Sequence, residues 1–210
     1  GVTSVGRGIA KGRRVSSIGF IRHGITDWNI QGLVQGSTDI PLGEEGRAEI
    51  AAWRVPPEFA DFEWLSSPLL RAQETARTVS GLTPPTDARL AEMAWGTWEG
   101  WTLDALRADL GDLLVAWEAK GLNFHGPGGE SPRDVQTRIA PLFEEIAVAG
   151  RDVLAVSHKG VMRAVLAMAT GWDMTNKAPE KLREGCMHHF ELGAGGVPSV
   201  VRLNIPLVPE

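Results

Sequence analysis

Short apolar segments of strand character alternate along this chain with longer segments that show helical periodicity. The patterns predict strands at residues 17–22, 62–66, 86–90, 152–157, 186–192 and 199–205, and helices at 44–53, 68–80, 103–120, 131–149 and 159–170. This alternation is typical of a layered α/β domain in which helices cover a sheet. The uninterrupted apolar run Val-Leu-Ala-Val at 153–156 indicates a central strand that is buried on both faces.

The composition excludes several classes of protein. A chain of 210 residues suits one domain with a sizeable core. Its net charge of −5 argues against general nucleic-acid binding, which usually needs a basic surface. No apolar run approaches the roughly 18 residues of a membrane span, so we expect no membrane partner. Cys186 is the only cysteine, which excludes an intrachain disulfide and favours a reducing, cytoplasmic location.

The first sixteen residues differ from the rest of the chain. Residues 1–16 are rich in Gly, Ser, Arg and Lys and contain no apolar stretch long enough for a signal peptide. We therefore expect a flexible tail at 1–16, followed by a single domain at 17–210.

Arg22 and His23 end the first predicted strand, and Gly24 allows the backbone to turn directly after them. In open α/β sheets, ligands bind beyond the carboxyl ends of the strands. An imidazole can act as a nucleophile, and a guanidinium presents a fork of donors that matches phosphate oxygens. The pair therefore predicts an anion site, provided that further phosphate-binding groups follow along the chain.

Such groups follow three other predicted strands. Arg71 lies in the first turn of the helix after strand 62–66, His158 follows the apolar strand, and Glu92 follows strand 86–90. Phosphoryl transfer through histidine needs a neutral imidazole and cationic donors for the charge on the equatorial oxygens. It also needs a carboxylic acid to protonate the leaving alkoxide. The nearby cations should keep His23 unprotonated, whereas Glu92 needs burial or the substrate's own negative charge to stay protonated.

The ordered motifs resemble those of the histidine phosphatase superfamily, whose fold is phosphoglycerate mutase-like. The matching segments are Ile21-Arg22-His23-Gly24 with Thr26-Asp27-Trp28-Asn29, Gln35-Gly36-Ser37-Thr38-Asp39-Ile40-Pro41-Leu42, Ser66-Ser67-Pro68-Leu69-Leu70-Arg71-Ala72, Leu90-Ala91-Glu92 with Gly96-Thr97-Trp98-Glu99-Gly100, Pro127-Gly128-Gly129-Glu130-Ser131, and Val156-Ser157-His158. The resemblance implies a three-layer αβα sandwich with a central, mostly parallel sheet. It also implies that residues at about 99–128 form an insertion, which we call the cap.

The resemblance also implies roles for individual residues. His23 would be the phosphorylated nucleophile, Glu92 the proton donor, and the phosphoryl group would be held by Arg22, Arg71 and His158. Glu99 is a rival to Glu92 for the proton donor. Further substrate contacts are expected at Asn29, Gln35, Gly36, Lys159 and Gly160. The family needs no metal, and we expect this chain to use no cofactor and to act on a small phosphorylated substrate.

Two positions depart from the family pattern. Ile25 stands where the family usually has Glu or Gln, and we expect altered pocket lining there rather than lost chemistry. Lys159 stands where Gly commonly follows the second histidine, with Gly160 next. The backbone donor would then move by one residue, and Lys159 either adds a cation to the site or points into solvent.

Three functions remain open at this level. Residues 99–128 contain only Arg107, Lys120 and His125 as basic groups against five acids, and the chain has no tyrosine. This favours a metal-independent phosphomonoesterase over a cofactor-dependent phosphoglycerate mutase-type isomerase, which would need more cations in the cap. A non-catalytic phospholigand-binding protein is the third alternative. Among short phosphatases, the motifs most resemble those of α-ribazole phosphatases, followed by those of broad-specificity phosphatases. We also leave open whether the protein forms a homodimer.

Overall fold

The computed structural model describes residues 14–209, so most of the predicted tail lies outside the described residues. The strands are β1 (Ser16–Arg22), β2 (Glu63–Ser66), β3 (Val153–Ser157), β4 (Cys186–Leu192) and β5 (Pro198–Pro206). The helices are α1 (Asp27–Gln31), α2 (Glu44–Ala51), α3 (Leu70–Ser80), α4 (Leu103–Leu110), α5 (Asp112–Glu118), α6 (Pro132–Ala149) and α7 (Lys159–Thr170). None of the helices within residues 14–209 is both long and apolar enough to span a bilayer.

The five strands form one sheet in the order β2-β3-β1-β4-β5. β3 pairs in parallel with both β1 and β2, whereas β4 runs antiparallel to β1 and β5. Four strands therefore point in one direction, and only β4 opposes them. Arg22 pairs with Ser157, and Ser66 pairs with Val156, so β1, β2 and β3 end at the same edge of the sheet.

Helices cover both faces of the sheet, which confirms the predicted α/β class. Phe20 packs with α6 and α7 in one apolar cluster, and the adjacent Ile21 packs with α2 and α3 in another. This alternation follows from the strand geometry, in which successive side chains point to opposite faces. The residues of β3 are fully buried, as the apolar run at 153–156 predicts for a central strand.

The predicted strand at 86–90 is wrong. Thr86 makes only an isolated bridge to Ser66, and Ala88–Leu90 form a short 3₁₀ helix. The Asp87 carboxylate accepts a hydrogen bond from the backbone N–H of Arg89 at 2.9 Å, and the same carboxylate forms an ion pair with the Arg89 guanidinium. These local bonds satisfy the backbone within the turn and compete with strand pairing.

The predicted helix at 103–120 is interrupted at Gly111. This glycine has φ +52° and ψ −126°, so α4 ends and α5 begins there. A side chain would disfavour this backbone conformation, whereas glycine adopts it freely. The two short helices enclose a small apolar cluster of their own around Trp98, Leu106 and Leu114. Trp98 stacks on Trp117 with ring centroids 5.5 Å apart.

Gly46 of α2 sets how closely this helix approaches the loop that follows β1. A Cβ atom at Gly46 would lie 2.1 Å from the carbonyl oxygen of Ile25. Because both partners are backbone, Gly46→Ala must push α2 away from the loop. We expect a loss of about 1–3 kcal/mol in the free energy of unfolding, as for other overpacked sites. Urea denaturation measures it as a lower midpoint at unchanged slope.

Glu45→Ala is the matched control for this substitution. Glu45 precedes Gly46 on the same helix and is exposed, so its replacement should shift stability by less than about 0.5 kcal/mol. Equal urea midpoints for Gly46→Ala and Glu45→Ala would contradict the prediction, because they would show that α2 moves away from the loop without a loss of stability.

Candidate active site

His23 lies directly after β1 with 5% of its surface exposed. Its Nδ1 atom is 2.6 Å from the carbonyl oxygen of Gly24, which can only accept a hydrogen bond. Nδ1 must therefore carry the proton, and Nε2 keeps its lone pair. Burial, and then the charges of Arg22 and Arg71, hold the pKa of His23 well below its usual value. The result is a neutral imidazole whose free nitrogen suits nucleophilic attack.

His158 lies beside His23 at the N-terminus of α7 and is fully buried. The ring centroids of the two histidines are 5.1 Å apart. Its Nε2 atom is 2.7 Å from the hydroxyl oxygen of Ser67, which follows β2. Burial, and then the neighbouring His23 and Arg71, lower the pKa of His158 well below its usual value. The parallel strand ends thus bring together residues that are 135 positions apart.

Arg71 is a fully buried arginine in the first turn of α3. Its Nη1 donates to the carbonyl oxygen of Thr38 at 2.9 Å, and its Nη2 donates to that of Gly36 at 2.7 Å. These two bonds fix the plane of the guanidinium. Gly36, predicted as a substrate contact, thus holds Arg71 through its carbonyl oxygen. A Cβ atom at Gly36 would lie 2.7 Å from the carbonyl oxygen of Met93, so glycine lets the loop approach closely.

Three buried nitrogen atoms around His23 lack a hydrogen-bond partner among the described residues. They are Arg22 Nε, Arg71 Nε and His158 Nδ1. Arg22 is held from one side by Glu184, whose Oε1 accepts from Arg22 Nη1 at 2.8 Å. Buried polar groups are normally hydrogen-bonded, so an unpaired set needs an explanation. Of the three residues, Arg22 lines the cleft that contains His23, whereas Arg71 and His158 are fully buried and are not among its lining residues. An oxyanion beside His23 would supply an acceptor to each of these nitrogens that it reaches and that carries a proton.

Glu92 lines the same site, but it follows a 3₁₀ turn instead of the strand that the sequence predicted. Its Oε1 accepts from the backbone N–H of Met93 at 2.7 Å, and its Oε2 accepts from that of Gly160 at 3.1 Å. Burial raises the pKa of Glu92, although the two backbone donors and the cations Arg71 and Arg22 oppose this. A buried carboxyl with a raised pKa can carry the proton that a leaving alkoxide needs.

In the structure, Gly160 forms a hydrogen bond with Glu92. Its amide is the donor to the Glu92 carboxyl, where the sequence predicted a substrate contact. A Cβ atom at this position would lie within 2.4 Å of Glu92 Oε1, so only glycine leaves room for the carboxyl.

Glu99, the alternative proton donor, binds the loop that contains Thr38 through its carboxylate. Its carboxylate accepts from the backbone N–H of Thr38 at 2.7 Å, from the Thr38 hydroxyl at 2.6 Å and from the backbone N–H of Trp95 at 3.1 Å. Burial raises the pKa of Glu99, but these hydrogen bonds outweigh burial and leave its pKa below the usual value. An ionised carboxylate with this many donors is a poor acid.

Asn29 and Gln35, which the sequence predicts as substrate contacts, line the cleft that contains His23. Asn29 Oδ1 accepts from the backbone N–H of Thr26 at 3.0 Å, and Gln35 Oε1 accepts from the Thr26 hydroxyl at 2.6 Å. Both side chains therefore use their carbonyl oxygens to bind Thr26, and their NH2 groups are available as donors to a ligand.

Arg138 is a supporting residue that the sequence reasoning missed. From α6 it donates to the carbonyl oxygens of Arg89 at 2.6 Å and Ala91 at 2.7 Å, and it forms an ion pair with Glu130 at 2.9 Å. It thereby fixes the segment directly before Glu92. The only signal in the sequence is the spacing of Arg138 from Glu130, which is too general to indicate this role.

An open cleft of about 580 Å³ leads from these groups to the cap. His23, Glu92 and Arg22 lie along its polar side, and its apolar lining includes Trp95, Trp98, Leu103, Leu106, Leu114 and Phe124. Lys159 and Gly160, which the sequence predicts as substrate contacts, also line it. Arg163 also lines it and was missed by the sequence reasoning. Within residues 14–209, no three His, Cys, Asp or Glu side chains group as metal ligands would.

Comparison with known proteins decides the family. A model of the histidine phosphatase superfamily (branch 1) matches residues 18–206. The chain belongs to this superfamily. It is similar to the glucosyl-3-phosphoglycerate phosphatase of Mycobacterium tuberculosis, with 33% identity over 168 residues, 73% of this chain and 75% of that protein. It is also similar to 2,3-bisphosphoglycerate-dependent phosphoglycerate mutase 2 of Gloeobacter violaceus, with 31% identity over 180 residues, 79% of this chain and 78% of that protein.

Solved structures of superfamily members support the same assignment. The structure of a mycobacterial glucosyl-3-phosphoglycerate phosphatase in complex with VO3 gives a TM-score of 0.73 at 28% identity, covering 92% of this chain and all of the other. A putative α-ribazole-5'-P phosphatase of Escherichia coli gives a TM-score of 0.75 at 23% identity, covering 94% and 100%, and supports the fold. Together with the family match, the phosphatase relatives confirm the prediction of a phosphatase of this superfamily.

The lowered pKa values of His23 and His158 can be tested by imidazole NMR during an acid titration. We expect both rings to stay neutral at pH 6.5, where half of all free imidazoles are protonated. His23 should show a protonated Nδ1 and an unprotonated Nε2. Below about pH 6.5 the unfolded chain binds protons at these two histidines and the folded protein does not. The free energy of unfolding therefore has its full value above that pH and decreases as the pH falls below it.

The control is the same titration in denaturing urea, where all histidines should titrate close to pH 6.5. Protonation of either ring near pH 6.5 in the folded protein would contradict the assignment of a neutral nucleophile.

Proposed function

We propose that this chain is a metal-independent phosphomonoesterase that forms a phosphohistidine on His23. The observation that carries the proposal is a neutral imidazole at His23 on which the charges of Arg22 and Arg71 act, beside three buried nitrogens without a partner, Arg22 Nε, Arg71 Nε and His158 Nδ1. We take His158 Nδ1 to be protonated, so that all three are donors. Such a set matches the oxygens of a phosphoryl group and needs no metal ion to neutralise its charge.

In the first step, the phosphoryl oxygens of the ester bind Arg22, Arg71 and His158. The lone pair on His23 Nε2 attacks phosphorus as the bond to the ester oxygen breaks. Glu92 gives its proton to the departing alkoxide. The arginines stabilise the charge that spreads over the equatorial oxygens. The raised pKa of Glu92 supports this role, because the carboxyl must hold its proton until the alkoxide forms.

In the second step, water releases the phosphoryl group. The Glu92 carboxylate takes a proton from the attacking water, whose oxygen forms a bond to phosphorus as the bond to His23 breaks. Inorganic phosphate leaves, and both His23 and Glu92 return to their starting states. One carboxyl thus serves as acid and then as base, which fits a buried group whose two backbone donors hold it in one orientation.

The substrate we propose is a small phosphorylated metabolite whose alcohol part enters the aromatic end of the cleft. α-Ribazole phosphate is the candidate from the sequence motifs, and glucosyl-3-phosphoglycerate is the candidate from the relatives. A cleft of about 580 Å³ with Trp95, Trp98 and Phe124 in its lining suits a ring-bearing alcohol. The mutase and binding-protein alternatives, a cytoplasmic location and a homodimer stay predictions.

His23→Ala removes the nucleophile and should lower phosphate release by about 10⁴-fold or more, since no other group can form the covalent intermediate. The assay measures phosphate released from p-nitrophenyl phosphate, α-ribazole phosphate and glucosyl-3-phosphoglycerate, with and without EDTA. We expect the wild-type rate to be the same in EDTA.

His125→Ala is the matched control, because His125 hydrogen-bonds its own loop at Gly126 and is not among the residues that line the cleft. Its activity should stay at the wild-type level. A wild-type rate that EDTA abolishes would remove the metal-free mechanism. Interconversion of phosphoglycerates without net phosphate release would favour the mutase alternative.

Glu92→Gln removes the proton that stabilises the leaving alkoxide. We expect kcat/KM for an alkyl phosphate to fall by about 10²–10³-fold, in the range of general acid catalysis. The loss on p-nitrophenyl phosphate should be much smaller, because p-nitrophenolate leaves without protonation. Glu99→Gln is the comparison, and its effect should be similar on both substrates. If the leaving-group dependence appeared in Glu99→Gln instead, the proton donor would be Glu99.

A further inference from the structure

Two cationic side chains on α7 face the cleft without any role in the mechanism above. Lys159 and Arg163 are four residues apart, one helical turn, and therefore lie on the same side of α7. Both line the cleft that contains His23 and Glu92. Lys159 stands where the superfamily commonly has glycine, so its charge is a feature of this chain.

Neither cation forms an ion pair with an acidic residue among residues 14–209, although the negative charge of Glu184 acts on Lys159. Eight ion pairs are found within residues 14–209, and none of them includes Lys159 or Arg163. The Arg163 guanidinium carbon lies over the ring of Trp172, 5.0 Å from its centroid, which supports the side chain without removing its charge. Glu118 also lines the cleft, but it is exposed and forms no ion pair with them.

The positive charges of Lys159 and Arg163 have the same sign as that of Arg22 at the phosphate site, so they increase the positive charge of the cleft. Burial lowers the pKa of Lys159 first, and the positive charges of Arg22 and Arg163 lower it further, while the negative charge of Glu184 opposes this shift. Burial also lowers the pKa of Arg163. Lys159 is exposed and Arg163 is partly buried. Like charges that share one cleft repel one another, and an anion that binds between them relieves this repulsion.

We propose that Lys159 and Arg163 form a second anion subsite, which binds a carboxylate or second phosphate on the alcohol part of the substrate. The inference rests on the proposed phosphomonoesterase function and narrows its substrate class to phosphomonoesters with two anionic groups. The scissile phosphate binds at His23, the second anion binds α7, and the apolar wall at Trp95 and Phe124 covers the atoms that join them.

The test compares ligands that differ only in the second anion. 3-Phosphoglycerate and sn-glycerol 3-phosphate differ by a carboxylate, and fructose 1,6-bisphosphate and fructose 1-phosphate differ by a phosphate. Binding is measured by calorimetry in the His23→Ala background, so that the result does not depend on turnover. The preference for the charged member of either pair should fall about 10-fold in Lys159→Met and in Arg163→Met, as expected for the loss of one charge-assisted contact.

Arg163→Lys should keep most of the preference, because it retains the charge. Arg107→Met is the matched control: Arg107 is an exposed arginine of the cap outside the cleft lining, and its loss should leave the preference unchanged. The pair that shows the preference identifies the anion as carboxylate or phosphate.

Two results would overturn the subsite. One is a protein that binds both members of each pair equally, and the other is a preference that survives both methionine variants. Turnover of p-nitrophenyl phosphate, which has no second anion, is measured in the wild-type and Arg107→Met proteins. Turnover in both, together with equal binding of both members of each pair, would mean that the subsite fails while the phosphatase mechanism holds; no turnover in either would mean that the phosphatase mechanism fails.

Discussion

The parallel pairing of β1 with β3 is the interaction on which the rest of the site depends. Arg22 and Ser157 are partners in this register, and the backbone N–H of His23 donates to the carbonyl oxygen of Ser157 at 3.3 Å. A shift of one residue would turn every side chain of a strand to the opposite face. Because Phe20 and Ile21 belong to opposite apolar clusters, such a shift would exchange side chains of different size between the two clusters and disrupt the packing of both. The packing of the sheet thus holds the two histidines 5.1 Å apart.

Burial at this edge of the sheet acts on acids and bases in opposite ways. It lowers the pKa of His23 and His158 and raises the pKa of Glu92, because in each case it disfavours the charged form. A site with neutral histidines and a carboxyl of raised pKa still contains the charges of Arg22 and Arg71. In the proposed mechanism, the same environment prepares a nucleophile, an acid and a cationic receptor for a phosphoryl group.

Local motifs made much of this site predictable. Residues at the carboxyl ends of strands, such as His23 and His158, can be found from an apolar run and the polar group that follows it. Ion pairs between distant elements cannot be found in this way, which explains why Arg138 was missed. The strand predicted at 86–90 failed because Asp87 and Arg89 satisfy the turn through side-chain bonds. The hydrogen bond from Gly160 to Glu92 depends on two loops whose approach is set by tertiary packing.

The charge of the whole chain and the charge of the cleft have opposite signs. With a net charge of −5, the protein as a whole does not attract anions. Exposed charges are screened over about 10 Å at physiological salt, however, so an anion near the cleft responds mainly to the local groups. Arg22, Lys159 and Arg163 face the cleft, and only Arg22 forms an ion pair, with the exposed Glu184. On the proposed mechanism, selection of an anionic substrate depends on a few cations in one concave surface, and exposed acidic residues farther than this screening distance can keep the protein negatively charged without weakening the site.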